Sequence, residues 1–315
     1  MRVVIAGGSG LIGRALAASL VRDGVLVDVL SRDPARATRR LPAGAGGVAW
    51  DPTDAGRAAE LATALAGADA VVNVSGVPVG PLPWTPGRKR AIVASRVGTN
   101  RALVAAIALL DPAGRPKVFV SAAGTDGYTG LDAEPATEMT DTTRTQGFLA
   151  ELGNAWEAAA AEASALGVRA VMIRTSFVLA AGSSLLGLLA LPVRFGFGGR
   201  YGNGRQWFSW IHLDDLVAIY RRAIDDASLS GPINASSPTP SRQADVAQEL
   251  ARVLRRPNWL RVPAWLLRLV LRGEATLLLG SRRVEPRKLT AAGFEFAYPD
   301  LEGALREALG KVGPG

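Results

Sequence analysis

The 315-residue chain contains no cysteine, one histidine and four lysines. The first absence excludes disulfides, thiolate catalysis and cysteine metal sites, and the lone His212 cannot form a histidine cluster; no metal is expected. Aromatic residues make up only 6% of the chain. The apolar stretch Trp259–Gly280 carries Arg261, Arg268, Arg272 and Glu274, too many charges for a membrane span. The chain starts directly on a strand-like run, so no secretory leader is expected and a cytoplasmic location is. Acidic residues number 28 against 36 lysines and arginines, a formal charge of +8 that is almost wholly arginine. Such an excess suits nucleic acid or a membrane surface. The densest basic stretch, Arg252–Lys288, is interleaved with leucine and tryptophan, however, and reads as solvated faces with no nucleic-acid partner.

What is present is concentrated at the start, MRVVIAGGSGLIG. Val3, Val4 and Ile5 form a β-branched run that stops at a glycine cluster. Leu11, Ile12, Ala15, Leu16 and Leu20 then recur at the spacing of one helix face. Gly7, Gly10 and Gly13 therefore stand between a strand and a helix. There the first glycine allows a tight turn, the second lets a pyrophosphate approach the backbone, and the third lets helix and strand pack closely. Free N–H groups at the helix start favour phosphate. A dinucleotide is expected at Gly7, Ser9, Gly10, Leu11, Ile12 and Gly13.

Apolar runs at 2–6, 25–31, 47–50, 69–75, 116–121 and 168–173 alternate with helical patterns near 11–23, 57–66, 88–110, 147–166 and 214–227. The alternation predicts an α/β, Rossmann-like doubly wound parallel sheet. Beyond residue 176 it decays: 180–210 is glycine-rich, and 228–315 reads as small and mainly helical. The expected organisation is a nucleotide-binding domain over 1–227, with 179–210 contributing to a substrate cleft, and a small C-terminal region over 228–315.

The end of the second strand separates NAD from NADP. An acid there bonds the ribose 2′-hydroxyl, whereas arginine suits a 2′-phosphate. Strand two ends Asp28-Val29-Leu30-Ser31-Arg32, with Asp28 too early to be that acid, and Arg36, Arg39 and Arg40 follow. NADP(H) is expected, held by Ser31, Arg32 and Arg36. Asp51 would then lie beside the adenine, and Val74, Ser75 and Gly76 beside the ribose and pyrophosphate.

Further pieces span nearly the whole chain: Trp50-Asp51-Pro52, Asn73–Gly76, Trp84-Thr85, Arg88-Lys89, Ser95-Arg96, Thr99-Asn100-Arg101, Arg174-Thr175, Gly204–His212 with Asp214-Asp215, Arg283-Val284, Ala291–Phe294 and Tyr298-Pro299. With the opening glycines, they make the chain resemble the extended short-chain dehydrogenase/reductases. The closer resemblance is to their atypical "epimerase family" branch, sometimes labelled cell-division-inhibitor-like, with its short C-terminal domain.

That superfamily's usual base is a tyrosine whose phenol is acidified by a lysine four residues later. Four residues after Tyr128, Tyr201, Tyr220 and Tyr298 stand Asp132, Arg205, Ile224 and Glu302, so the pair is missing. Ser121, ending strand five, and Tyr128, on the next loop, are the candidate donors to a substrate oxygen, Tyr128 as a phenol near its ordinary pKa. Either could instead be a packing residue. Ser121 and Arg174 are also expected beside the cofactor. His212 reads as structural, ahead of a helix capped by Asp214. Trp84, Arg88, Tyr201, Arg205 and Trp207 are candidate substrate residues, the arginines suiting an anionic small molecule. The favoured reading is an NADP(H)-dependent oxidoreductase that reduces a small carbonyl compound without the dyad. An epimerase, isomerase or dehydratase retaining NADP stays open, as do a non-catalytic NADPH sensor and a homodimer.

Overall fold

The computed structural model describes residues 1–52, 54–79, 84–130, 134–271 and 275–310; Asp132, Arg272, Glu274 and Lys311 lie outside them. The expected alternation is present from the start. β1 (Arg2–Ala6), α1 (Leu11–Arg22), β2 (Leu26–Ser31), α2 (Pro34–Thr38), β3 (Ala45–Ala49), α3 (Ala58–Leu65) and β4 (Ala70–Asn73) follow one another. A long helix comes next, formed by α4 (Pro86–Val93), a π-helical turn at 94–98 and α5 (Thr99–Ala108). β5 (Val118–Gly124), α6 (Phe148–Ala161) and β6 (Arg169–Thr175) complete the series.

These strands pair in parallel throughout, and the spatial order places β1 between β4 and β2. The connection therefore reverses direction between β1 and β4, the point where ligands settle in such sheets. The sheet is covered on both faces, as an all-parallel sheet must be. Val3 and Ile5 point to one apolar layer with Leu16 and Leu20 of α1, while Val4 and Ala6 point to the other with Leu61, Leu103 and Ile107. Each fully buried Val, Leu or Ile contributes roughly 1.5–3 kcal/mol. Among the described residues one helical stretch, Pro86–Ala108, is long and apolar enough to cross a bilayer; it is a flank of this sheet, with Ile92, Leu103 and Ile107 fully buried.

After β6 the chain leaves the sheet. β7 (Phe177–Leu179), α7 (Ser184–Arg194), β8 (Gly198–Tyr201), β9 (Trp207–Phe208), β10 (Trp210–His212) and α8 (Leu213–Asp225) lead to β11 (Gly231–Ala235). β11 then returns to the main sheet as its seventh strand, parallel to β6. Here the sequence reading is corrected: residues 231–235 belong to the sheet rather than to a separate helical tail, and 180–210 holds short strands and a helix rather than loop alone. β12 (Ser241–Arg242), α9 (Gln243–Leu254), β13 (Asn258–Val262), α10 (Ala264–Leu271), α11 (Thr276–Leu279), α12 (Arg287–Ala291) and α13 (Leu301–Ala308) follow. A second core forms from α7, α9 and α13, with Leu189, Val193, Leu250, Leu254 and Leu305 packed around Trp210.

His212 ties the two cores together. It is the N-cap of α8, its Nδ1 accepting from the Asp214 backbone N–H at 3.2 Å, so the cap is His212 rather than the expected Asp214. Its Nε2 lies 2.7 Å from Glu307 of α13, and its ring packs on Tyr298. Asp215 beside it accepts the backbone N–H groups of Ala297 and Tyr298. Both side chains hold the C-terminal segment against the sheet.

Candidate functional site

The carboxyl ends of β1 and β4 build a cradle. Gly7 leaves β1 at φ +83°, a left-handed conformation that side-chain-bearing residues avoid, and a Cβ there would lie 2.6 Å from the Ser75 backbone. At Gly13 a Cβ would lie 2.5 Å from the Gly7 carbonyl oxygen, so α1 can rest on the turn only without a side chain. Gly10 differs from both. Its φ is −78°, and a Cβ would meet nothing within 4 Å except the Gly7 carbonyl oxygen at 3.3 Å. A side chain at position 10 would need the Gly7 carbonyl to give by a few tenths of an ångström, so this glycine is the least constrained of the three. Gly10 is also the N-cap of α1, and no side chain caps that end. The first N–H groups, from Leu11 onward, therefore offer their donors and the positive end of the helix dipole to an anion. Ser9 is exposed at the same turn.

At the end of β2, Arg32 and Arg36 are both exposed. The two nearby acids are otherwise committed. Asp28 sits mid-strand and accepts from Arg2 Nε at 2.9 Å, and Asp33 caps α2 by accepting the Arg36 N–H at 2.9 Å. Ser31 is held to Asp33 through its hydroxyl, and its carbonyl accepts the Trp50 N–H at 2.9 Å, which brings Asp51 to the same edge. The strand end thus presents guanidinium groups, and neither Asp28 nor Asp33 is left uncommitted there.

After β4, Val74 donates its N–H to Ala6, and Ser75 folds back onto Asn73 Oδ1 through both its N–H and its hydroxyl. Asn73 donates to Asn100, and Asn100 donates to Ser121 Oγ at 3.0 Å and to the Trp156 carbonyl. Ser121 is fully buried, with its hydroxyl also 2.9 Å from the Ala122 carbonyl. The structure therefore places Ser121 beneath the cradle, in a chain that fixes loop 74–76, rather than in open space.

Tyr128 lies in a second closed cluster. It is 1% exposed, and its hydroxyl is 2.9 Å from both the Thr137 carbonyl and Asn234 Oδ1. Arg174 Nη1 donates to the same oxygen. The remaining guanidinium donors of Arg174, Nε and Nη2, reach Glu157 at 2.6 and 2.7 Å. Arg174 is thus engaged with Tyr128 and Glu157. Burial opposes its charge, but the Glu157 and Tyr128 contacts outweigh this and raise its pKa. Burial pushes the Tyr128 phenol up to about 12, outweighing the opposing pull of Arg174. The sequence reading expects an ordinary value; the protonated form it requires is present nonetheless.

The candidate substrate residues fall into two groups. Trp84 stacks obliquely on Phe148 of α6, and Arg88 donates to the Pro78 carbonyl, so both line the loop after β4. Tyr201 belongs to the second core, at the wall of an apolar cavity of roughly 110 Å³ beside Phe197, Phe208 and Leu250. Trp207 lies between the guanidinium groups of Arg242 and Arg283, 3.5 and 5.0 Å from its ring centre, and Arg205 is exposed next to it.

Three residues emerge to which the sequence reading gave no role in the site. Glu157 and Asn234 hold the Tyr128 cluster. Arg96, on the π-helical turn, packs over the Trp156 ring, donates to the Val77 carbonyl at 3.0 Å and would touch any side chain at Gly76. Among the described residues no carboxylate pairs with it. Burial lowers its pKa, with Asp126 opposing that shift and Arg88 adding to it. An arginine in an apolar helical stretch was the available signal; its position facing Gly76 was not, because the π-turn that aims it leaves no sequence mark.

Comparison with known proteins agrees with this geometry. Residues 3–235 match the model of the NAD dependent epimerase/dehydratase family, and residues 262–308 match a domain of unknown function. An epimerase family protein of Mycobacterium leprae is 37% identical over 310 residues, covering 97% of this chain and 95% of its own. A chloroplastic homologue of epimerase family protein SDR39U1 from Arabidopsis thaliana is 34% identical, covering 97% of this chain and 86% of its own. The crystal structure of human epimerase family protein SDR39U1 with NADPH superposes with a TM-score of 0.84 at 30% identity, covering 99% of this chain and all of that one. With its parallel sheet, its glycine turn at the switch point and no Tyr/Lys pair, the chain belongs to the NAD-dependent epimerase/dehydratase family, in the atypical short-chain dehydrogenase/reductase branch of the SDR39U1-like proteins.

Proposed function

We propose that this protein is an NADP(H)-dependent oxidoreductase that reduces the carbonyl group of a small anionic compound. The observation that carries the cofactor is Gly10: the least constrained glycine of the turn, exposed at an uncapped helix start where β1 ends. The pyrophosphate would lie on Gly7, Ser9, Gly10, Leu11, Ile12 and Gly13. Ser31, Arg32 and Arg36 would hold the 2′-phosphate, Asp51 would meet the adenine edge, and Val74, Ser75 and Gly76 the ribose. The human relative's NADPH supports the same choice of nucleotide. A reduced nicotinamide supplies hydride to a carbonyl carbon.

The protein's own part is to hold the substrate and stabilise a developing alkoxide. Arg96, unpaired with any described carboxylate and facing Gly76, is suited to an anionic substrate group, with Arg88 and Trp84 on the same loop. Tyr128 is the donor of choice because burial keeps it protonated. Its proton now rests between Thr137 and Asn234, so reaching a substrate requires the segment bearing Thr137 to yield. Ser121 serves by fixing Asn100 and loop 74–76.

The enclosure of both hydroxyls also favours a second reading, retention of NADPH without turnover as a sensor. One experiment separates the two. Purified protein is given NADPH or NADH with a panel of aldehydes, ketones, quinones and their carboxylate-bearing analogues, and absorbance of the reduced nicotinamide is followed. Oxidation of NADPH with an anionic member, lowered roughly 10²-fold in kcat by Tyr128→Phe, is the expected result. Tight NADPH binding with no oxidation across the panel would establish the sensor reading instead.

A further inference from the structure

Beside the second core, two helices leave apolar side chains uncovered. α7 buries Leu186, Leu189 and Val193 and turns Leu188, Leu191 and Phe195 outward. α10, with sequence AWLLRLVL, has no fully buried residue, and Trp265, Leu269 and Val270 are 64%, 69% and 68% exposed. The two helices are linked through β8, which follows α7, and β13, which leads into α10. β8 and β13, which adjoin them, pair in parallel, and Trp259 donates its Nε1 to the Gly196 carbonyl at 2.9 Å while its ring packs near Phe197. Single exposed leucines are ordinary; a run of exposed aromatic and aliphatic side chains on linked elements marks an interaction site.

Charge identifies the partner. No aspartate or glutamate occurs between residues 163 and 213 or between 250 and 273, the two segments that make this face. Arg194, Arg255, Arg256, Arg261 and Arg268 are all exposed on them, and none is in an ion pair among the described residues. The partner must therefore be apolar and anionic together. A second copy of the chain would set arginine against arginine, and a soluble polyanion would leave the apolar side chains in water. We propose that this face docks on an anionic phospholipid surface. The outward side chains of α7 and α10 then sit at the boundary of headgroups and acyl chains, Trp259 and Trp265 lie at the level tryptophan favours, and the arginines meet phosphates. Attachment lies in the plane of the membrane, with no segment crossing it.

Flotation of the whole protein with phosphatidylcholine vesicles, with and without phosphatidylglycerol, tests the proposal. Flotation is expected only with the anionic vesicles, and it should fail in about 1 M salt, where the screening length falls to about 3 Å. The double variant Arg261→Gln/Arg268→Gln should lower partition by roughly five-fold per arginine. Leu269→Glu, at an exposed position, should abolish flotation while NADPH binding stays as in the wild type. Three outcomes would overturn the proposal. They are no flotation with anionic vesicles, undiminished flotation of Leu269→Glu, and a wild-type dimer in light scattering that Leu269→Glu converts to monomer.

Discussion

Arg174 and Glu157 face each other fork to fork, on neighbouring elements β6 and α6, with side chains only 7% and 15% exposed. Arg174 also donates to the Tyr128 hydroxyl. Here the cation is a guanidinium already neutralised by a carboxylate, and the phenol it touches is held protonated. Glu157→Gln keeps the shape and leaves Arg174 as a buried, half-paired charge. Urea unfolding should show a loss of about 3–5 kcal/mol. Replacing both partners with apolar residues, Arg174→Met with Glu157→Leu, should recover most of it; a change under about 1 kcal/mol in the single variant would mean the pair is solvated.

Stability should fall on the alkaline side because of Tyr128. Its folded pKa of about 12 lies above its ordinary value near 10, so the unfolded chain loses this proton first as pH rises. The contribution is complete below pH 10 and declines between about pH 10 and 12, by at most about 1.4 kcal/mol per pH unit. Tyr220, buried and raised still further, adds to the same decline. Urea midpoints at increasing alkaline pH should show it, and Tyr128→Phe should be less stable at pH 8 yet lose less between pH 10 and 12. A parallel decline in both proteins would place the titration elsewhere.

The glycines of the first turn should separate into two classes. Gly10→Val is expected to fold with a modest loss, since its backbone angles are ordinary and the Gly7 carbonyl need give only a few tenths of an ångström, yet to lose NADPH binding in a fluorescence titration. Gly7→Ala should fail differently. It combines a left-handed φ with a 2.6 Å approach to the Ser75 backbone, so thermal stability itself should drop. Normal NADPH binding by folded Gly10→Val would make the turn structural only.

Nucleotide choice should rest on the end of β2. Arg32→Ala should weaken NADPH by about tenfold or more, the value of one charge-assisted contact, and leave NADH nearly unchanged. Isothermal titration of both cofactors decides it, and equal affinities in the wild type would contradict the reading.

The fold was legible in the sequence where local signals and topology agree. The run from Val3 to Ile5, the glycine turn and the helix face of Leu16 and Leu20 each point the same way, and β1 and α1 fall at the positions their pattern predicts. Asp28 could be dismissed as a ribose ligand because strand period alone places it before the strand end. The residues that escaped are those whose roles depend on distant partners. Asn234 meets Tyr128 across 106 positions of sequence, and Arg96 is aimed by a π-turn that composition does not encode. β11 was hidden because Gly231–Ala235 is short, and its place is set by the exposed edge of β6 rather than by its own pattern. The tight enclosure of Ser121 and Tyr128 was equally beyond reach, since exposure is a property of what packs on a residue.

The late return of β11 bears on how the molecule is made. The chain completes six strands, wanders through β7 to α8 to begin a second core, and closes the sheet only afterwards. A ribosome therefore releases the first six strands with the hydrogen-bonding edge of β6 uncovered, a template for any passing strand. A fragment ending at residue 227 keeps that edge uncovered, whereas one ending after Ala235 covers it with β11 but leaves α7 and Trp210 without α9 and α13. Expression trials that trim the C-terminal region should therefore find both fragments aggregating, and recovery only once α9 and α13 are kept.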